Sequence, residues 1–546
     1  METLENQKDK WRSMPEINDV ATYGGATQGA GGTVRRGGLF LRLFLVFAAL
    51  GTLWAFATPL MAYPDEPSHA IRAAAVVRGQ ITAEVGHSFG NGVHVQVPSY
   101  IANLGSQNCY VFHRDRTADC APPIPSNDNF DAIGVTTAGG YNPMYYWLVG
   151  LPSLFMTGAP AIYAMRIVSV LFSAVFFAAG FMALAKLRKP KWPLVSATIV
   201  VTPMVLFLSS GINPNSIEIA ATLAAFCALL AVLDHAHSLR SRLPEIAIVA
   251  VSTVVLANTR SVSLLWLLCA VVTALMFFGW SSLKRMLGNR NVLVAIGFAV
   301  VGVVLGLYWM AVSMNAPASS GTAPEGIINP APGVAPYQAF ITMLDRTFDF
   351  LNQYIGVVGW LDTPVPSGVF GFWSMLFIAT LLLSMLARPR KLTYAMLVSL
   401  AALVLVPAIL QALLVTTVGF IWQGRYSMPL VLVTFVSAGM AMRTRTFSTG
   451  RRSQSVARLL LLSAVIAHVI SFLYVLRRYV VGIIDISTWQ TMISHPAWQP
   501  PLGWLVLTVL YSVMIFAVAQ KFYSYLFPGK NLVRLPSAFT GIRRVS

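Results

Sequence analysis

Leu39–Ala62 reads LFLRLFLVFAALGTLWAFATPLMA and runs directly into Tyr63-Pro64-Asp65-Glu66-Pro67-Ser68-His69. The first stretch is apolar for 24 residues, broken only by Arg42 near its start. As a helix it is about 36 Å long, enough to cross roughly 30 Å of hydrocarbon. It is too long for the apolar core of a secretory signal and follows about 38 polar, glycine-rich residues, so it reads as a retained membrane span. Residues 1–38 are expected to form a disordered cytoplasmic tail.

The rest of the chain repeats this solvent preference. Of 546 residues 56% are hydrophobic and 11% charged, where a soluble globular protein carries about 25% charged residues. Twelve spans are predicted, at 39–62, 160–185, 193–211, 215–233, 245–258, 261–280, 291–313, 367–387, 392–418, 427–442, 459–477 and 502–525. This is an all-α polytopic membrane protein with a transmembrane domain over 39–526 and a basic cytoplasmic tail over 527–546. The net charge of +18 raises nucleic acid as a partner, but its distribution argues against that. With both termini inside, 28 of the 38 Lys and Arg residues fall on the cytoplasmic side and nine outside, with Arg166 inside a span. That bias is the one expected for orientation in a membrane, with the inner side cytoplasmic.

Two outer connections are long, 63–159 and 314–366, and function tends to sit on long loops held by a rigid scaffold. Glu66 to Gln80 reads as an amphipathic helix lying along the membrane, with Ala70, Ile71, Ala74 and Val77 on one face. Residues 336–355 repeat that pattern, and Pro143 to Met156 reads as a short interfacial or re-entrant helix. Cys109 and Cys120 share the first outer loop. There a disulfide would contribute roughly 3 kcal/mol in the chain-entropy model; the alternative is two free thiols.

Three clusters at the outer face carry candidate chemistry. In Asp65-Glu66 one carboxylate is poised to act as a general base while the other tunes it or holds a divalent cation (Mg, Mn or Ca). The same pair also reads as a helix cap with acids in the first turn. Gly359-Trp360-Leu361-Asp362-Thr363 offers an aromatic and a carboxylate, or an ordinary interfacial turn. Trp422-Gln423-Gly424-Arg425-Tyr426 places an arginine on the outer side, against the charge bias. Its guanidinium suits either a substrate phosphate or lipid headgroups. His69 lies one turn from Asp65, within reach of a phosphate or metal, though a solvated loop histidine is the more ordinary reading.

Taken in order, these motifs resemble the bacterial membrane proteins of domain-of-unknown-function family 2142. The carrying residues are Pro64 to His69 with Gly79, Gly359 to Thr363 with Pro366, and Gln423 to Tyr426 with Pro429. That family is similar to the GT-C glycosyltransferases, which use polyprenyl-phosphate sugars outside the cytoplasmic membrane. Tyr141-Asn142-Pro143-Met144-Tyr145-Tyr146-Trp147 resembles the Lys-Pro-Pro-Leu-type segment of the lipid A aminoarabinose and protein mannosyl transferases. It departs at Asn142 and Met144, where those enzymes show Lys and a second Pro.

The resemblance implies a GT-C-like inverting glycosyltransferase that moves a sugar from polyprenyl phosphate to a cell-envelope glycan, lipid or protein. Asp65 would be the base and Glu66 its partner or a metal ligand. Arg425 and His69 would hold the donor phosphate, and Trp360, Asp362, Gln423, Tyr426 and Tyr145 would contact substrate. The rival is a transporter or flippase of a lipid-linked or small solute, which should show two related halves; none is evident in the sequence.

Overall fold

The computed structural model describes residues 31–81, 92–127, 129–314, 333–483 and 488–533. Residues 1–30 of the expected N-terminal tail and most of the C-terminal tail lie outside these residues; residues 31–38, expected to belong to that tail, are instead the start of the first helix, Gly31–Ala57. A backbone in hydrocarbon must satisfy its own polar groups, and every predicted span is helical.

Among the described residues nine helices are individually long and apolar enough to cross a membrane, from the first (described in this respect over Gly38–Ala57) to Trp504–Leu526. The other three predicted spans differ in instructive ways. Residues 193–211 are split into Lys191–Ile199 and Pro203–Leu208. Pro203 has no N–H to continue a helix, and the Thr202 hydroxyl caps the second piece at Val205 N and donates to Tyr354 O (2.7 Å). Ser263–Phe278 stops at Gly279, whose φ of +76° favours glycine, and the chain turns through 109° into Trp280–Leu287. Leu243–Ala257 has 15 residues, short for a full span.

The two long connections meet on one face of the bundle. Asp362 joins them: its carboxylate accepts from Phe112 N (2.9 Å) and its carbonyl from Arg114 Nε (2.6 Å). Within the first connection, Val93–Pro98 and Asp131–Thr136 pair as antiparallel strands, which the sequence reading missed. Cys109 and Cys120 are joined by a disulfide, with their Cα atoms 6.1 Å apart.

The helix Glu66–Val77 forms nearly where expected and ends before Gly79 (φ +87°). It does not lie on a membrane surface, however. Ala70, Ile71, Arg72 and Ala73 to Val76 are all buried in protein. Its polar side is covered because Arg72 donates to the carbonyls of Gln80, Ile81 and Tyr141, and Arg78 to Ala74 O and Ser153. Residues 336–355 form two helices, Pro336–Asp345 and Thr347–Gly356.

Candidate active site

After the first span the chain turns sharply. Asp65 takes a left-handed conformation (φ 61°) and starts the next helix, with Pro67 in its first turn. Short polar side chains tolerate that region best among residues with a Cβ. The Asp65 carboxylate makes no capping bond; only its backbone carbonyl accepts from His69 N (3.1 Å). Its side chain is free for another partner.

The two neighbouring carboxylates point to different arginines. Glu66 is fully buried against Arg166, which donates from Nε to Oε1 (2.8 Å) and from Nη2 to Oε2 (2.6 Å). Ile212 N also donates to Oε1 (3.1 Å). Arg166 spends its remaining donors on the carbonyls of Ala55, Thr58 and Pro59, the unpaired end of the first span. Tyr63 packs 4.8 Å from the same guanidinium, and only a glycine fits at Gly211, where a Cβ would sit 2.3 Å from the Tyr63 ring. This unit ties the end of one span to two others. Both oxygens of Glu66, expected to tune the base or hold a cation, are engaged by protein donors. Among the described residues no group of three His, Cys, Asp or Glu side chains gathers as a cation site.

Asp65 instead receives Nη2 of Arg425 at 2.6 Å. Its side chain is 44% exposed, whereas that of Arg425 is 2% exposed. Arg425 Nη2 also reaches the Tyr426 hydroxyl (3.2 Å), but its Nε and Nη1 are buried without a hydrogen-bond partner. Buried guanidinium donors are normally satisfied, so two orphans mark a place where an acceptor is missing. Burial pushes the Asp65 carboxyl up, but Arg425, with Arg260 further off, holds it below its ordinary value. It is therefore ionised at neutral pH.

Arg260, which the sequence reading did not single out, completes the cationic wall. Its guanidinium lies 4.8 Å from the Tyr426 ring and 5.9 Å from Tyr141, and it contacts Asn215 and Glu218. The available signal was the one used for Arg425, a basic residue between predicted spans on the side expected to carry few of them. His69 faces inward: its Nδ1 hydrogen-bonds the Tyr146 hydroxyl (2.8 Å), and its ring stacks on Tyr146. Burial, helped by Arg425 and Arg260, pushes its pKa down to about 3 against the pull of Asp65. A neutral His69 offers a phosphate no charge, only a ring N–H.

The remaining expected contacts divide. Tyr426 borders Arg425 and Arg260, and Gln423, two residues before Arg425, keeps a buried Oε1 without a partner. Tyr145 is fully buried, its hydroxyl bonded to Ser169 (2.8 Å), and belongs to the core. Both Asp362 oxygens are engaged, by Phe112 N and the Thr363 hydroxyl, with Arg478 4.0 Å away. Trp360 donates to Met61 O (3.0 Å). Asp362 and Trp360 thus tie the two long connections to each other and to the end of the first span, the positions at which they were expected to meet substrate.

The fold and site define a multi-pass α-helical membrane protein with an unsaturated ionic centre at one face of the bundle. The family model described as "Predicted membrane protein (DUF2142)" matches residues 47–434, and the chain belongs to that family. The crystal structure of ArnT from Cupriavidus metallidurans in the apo state is a distant neighbour in fold. It is 12% identical with a TM-score of 0.43, over 91% of this chain and 77% of that one. Comparison with curated proteins finds no match.

Proposed function

We propose that this protein is a GT-C-type glycosyltransferase of the bacterial inner membrane, transferring a sugar from polyprenyl phosphate to an extracytoplasmic cell-envelope acceptor. The observation that carries the reading is the half-exposed Asp65 carboxylate held by a buried arginine with two unpartnered donors. An apolar groove of about 150 Å³, lined by Met343, Phe350, Tyr354, Leu400 and Phe435 among others, supports a lipid-linked donor. Tyr354 borders Gly424, next to Arg425, so a prenyl chain in the groove would bring its phosphate toward the guanidinium.

The donor phosphate displaces Asp65 from Arg425 and takes up the orphaned N–H groups. Asp65 then loses the charge that lowers its pKa, while its partial burial remains, so it becomes a stronger base once the donor is bound. The acceptor hydroxyl attacks the anomeric carbon as Asp65 takes its proton. The bond from that carbon to the phosphate oxygen breaks with its electrons on the oxygen, giving polyprenyl phosphate and an inverted linkage. Arg425 stabilises the charge developing there. Glu66 and Arg166 keep the turn in place.

The test follows a labelled sugar from polyprenyl phosphate to an acceptor in purified, reconstituted protein. Transfer that depends on Asp65 and Arg425 supports the reading. Movement of the intact lipid-linked sugar across liposomes, without cleavage, replaces it with a carrier.

A further inference from the structure

At the opposite face of the bundle lies a second, larger cavity. Arg425 opens the helix Gly424–Met442 and Arg443 follows its end, about 28 Å further along. Beyond it, Thr446, Ser448, Arg452 and Ser453 form the mouth of a cavity of about 480 Å³ between the helices Lys191–Ile199, Ser367–Met385, Arg451–Val480 and Trp504–Leu526. On Arg451–Val480 the lining runs Arg452, Val456, Leu460, Ala464, His468, a stripe with a four-residue step. It extends about 24 Å, more than the roughly 15 Å of one hydrocarbon leaflet. Past the mouth the walls are almost entirely apolar, with Trp373 and His468 at the far end.

The charge at the mouth is one-sided. Residues 443–458 contain five arginines and no acid. Arg443 is paired with Asp234 (3.0 Å), and Arg445 is spent on the Leu386 carbonyl (2.7 Å). Arg452 is exposed and has no carboxylate partner among the described residues. Trp192, in the wall, keeps a buried Nε1 without a hydrogen-bond partner.

We propose that this cavity binds one anionic glycerophospholipid. One acyl chain lies along the stripe, and the phosphate sits at Arg452 with the hydroxyls of Thr446, Ser448 and Ser453. Basic pockets between membrane helices attract such headgroups electrostatically, and a groove longer than a leaflet takes a whole chain. The site shares no lining residue with the donor groove beside Tyr354.

The full-length protein, purified in detergent, is titrated with phosphatidylglycerol or phosphatidylcholine and followed by native mass spectrometry and thermal melting. A single phosphatidylglycerol should be retained and raise the melting temperature saturably, while phosphatidylcholine does so weakly. Arg452→Gln, on the exposed rim, should weaken phosphatidylglycerol binding about five- to tenfold, and Arg452→Lys should largely restore it. Ala464→Phe, which fills the groove, should abolish the lipid-dependent shift. Equal stabilisation by the two lipids, together with unchanged binding in Arg452→Gln, overturns the proposal and leaves an unselective apolar groove.

Discussion

Asp65 and Glu66 are consecutive acids at one turn, each bound to an arginine from a distant helix, yet their surroundings differ in kind. Around Glu66 every donor of Arg166 is used and neither side chain is exposed. Around Asp65 the carboxylate faces solvent and its arginine has donors to spare. A saturated pair has no capacity left for a ligand and serves the fold. An unsaturated one at an accessible edge has both a place for an acceptor and a base that the acceptor would release.

That contrast is broken most directly at Asp65. Asp65→Asn keeps the size and the left-handed turn but removes the proton acceptor. Sugar transfer should fall about 10²–10⁴-fold with little change in thermal stability. Transfer at the wild-type rate would remove Asp65 from the mechanism. Arg425→Lys, which keeps the charge but loses the planar fork, should also slow transfer.

The mirror experiment is Arg166→Ala, which leaves Glu66 buried and unpaired. The expected loss is about 3–5 kcal/mol of stability, seen as a lower melting temperature and poor recovery of monodisperse protein. A variant that melts like the wild type would mean that the Glu66 unit does not hold the turn.

His69 adds a pH dependence. Its folded pKa is depressed to about 3, while in the unfolded chain imidazole titrates near 6.5. Between those values the unfolded state binds the extra proton, so stability falls as pH drops through that window and levels off below it. From pH 6.5 to 5 the loss attributable to this group is about 2 kcal/mol. Melting curves over that range should be flatter for His69→Gln. An unchanged slope would show that His69 is not buried neutral.

Much of the scaffold was legible because lipid leaves a chain few choices: long apolar runs become helices. The breaks were legible only in part. Thr202-Pro203 carries a local signal, but the turn at Gly279 depends on what packs around it. The same limit explains Glu66–Val77, whose periodicity shows an apolar face but not that carbonyls 8 to 69 residues away cover Arg72. At the site, Arg425 stood out because its charge lay on the unexpected side. Residue type alone did not separate Asp65 from Glu66, whose roles came only from the resemblance, since the fold decides which of them meets Arg166. Trp360 and Asp362 have partners in other segments, and no local pattern encodes those pairings.

The smallest expected effect sharpens the boundary between holding the site and belonging to it. Trp360 donates one hydrogen bond, to Met61 O, four residues before Asp65, and its ring meets Phe112 edge-on at 6.4 Å. Trp360→Phe keeps an aromatic ring and deletes the donor, so the expected cost is about 1 kcal/mol, the net value of one such bond. Melting temperature should drop by a few degrees at most, while KM for the donor and kcat stay close to wild type, because the ring supports the turn without touching substrate. A raised donor KM with unchanged melting would return Trp360 to the substrate-binding surface. A loss of transfer as deep as that of Asp65→Asn would instead show that the turn cannot tolerate even a slight loosening, and the separation between the saturated and unsaturated halves of the Asp65-Glu66 motif would fail.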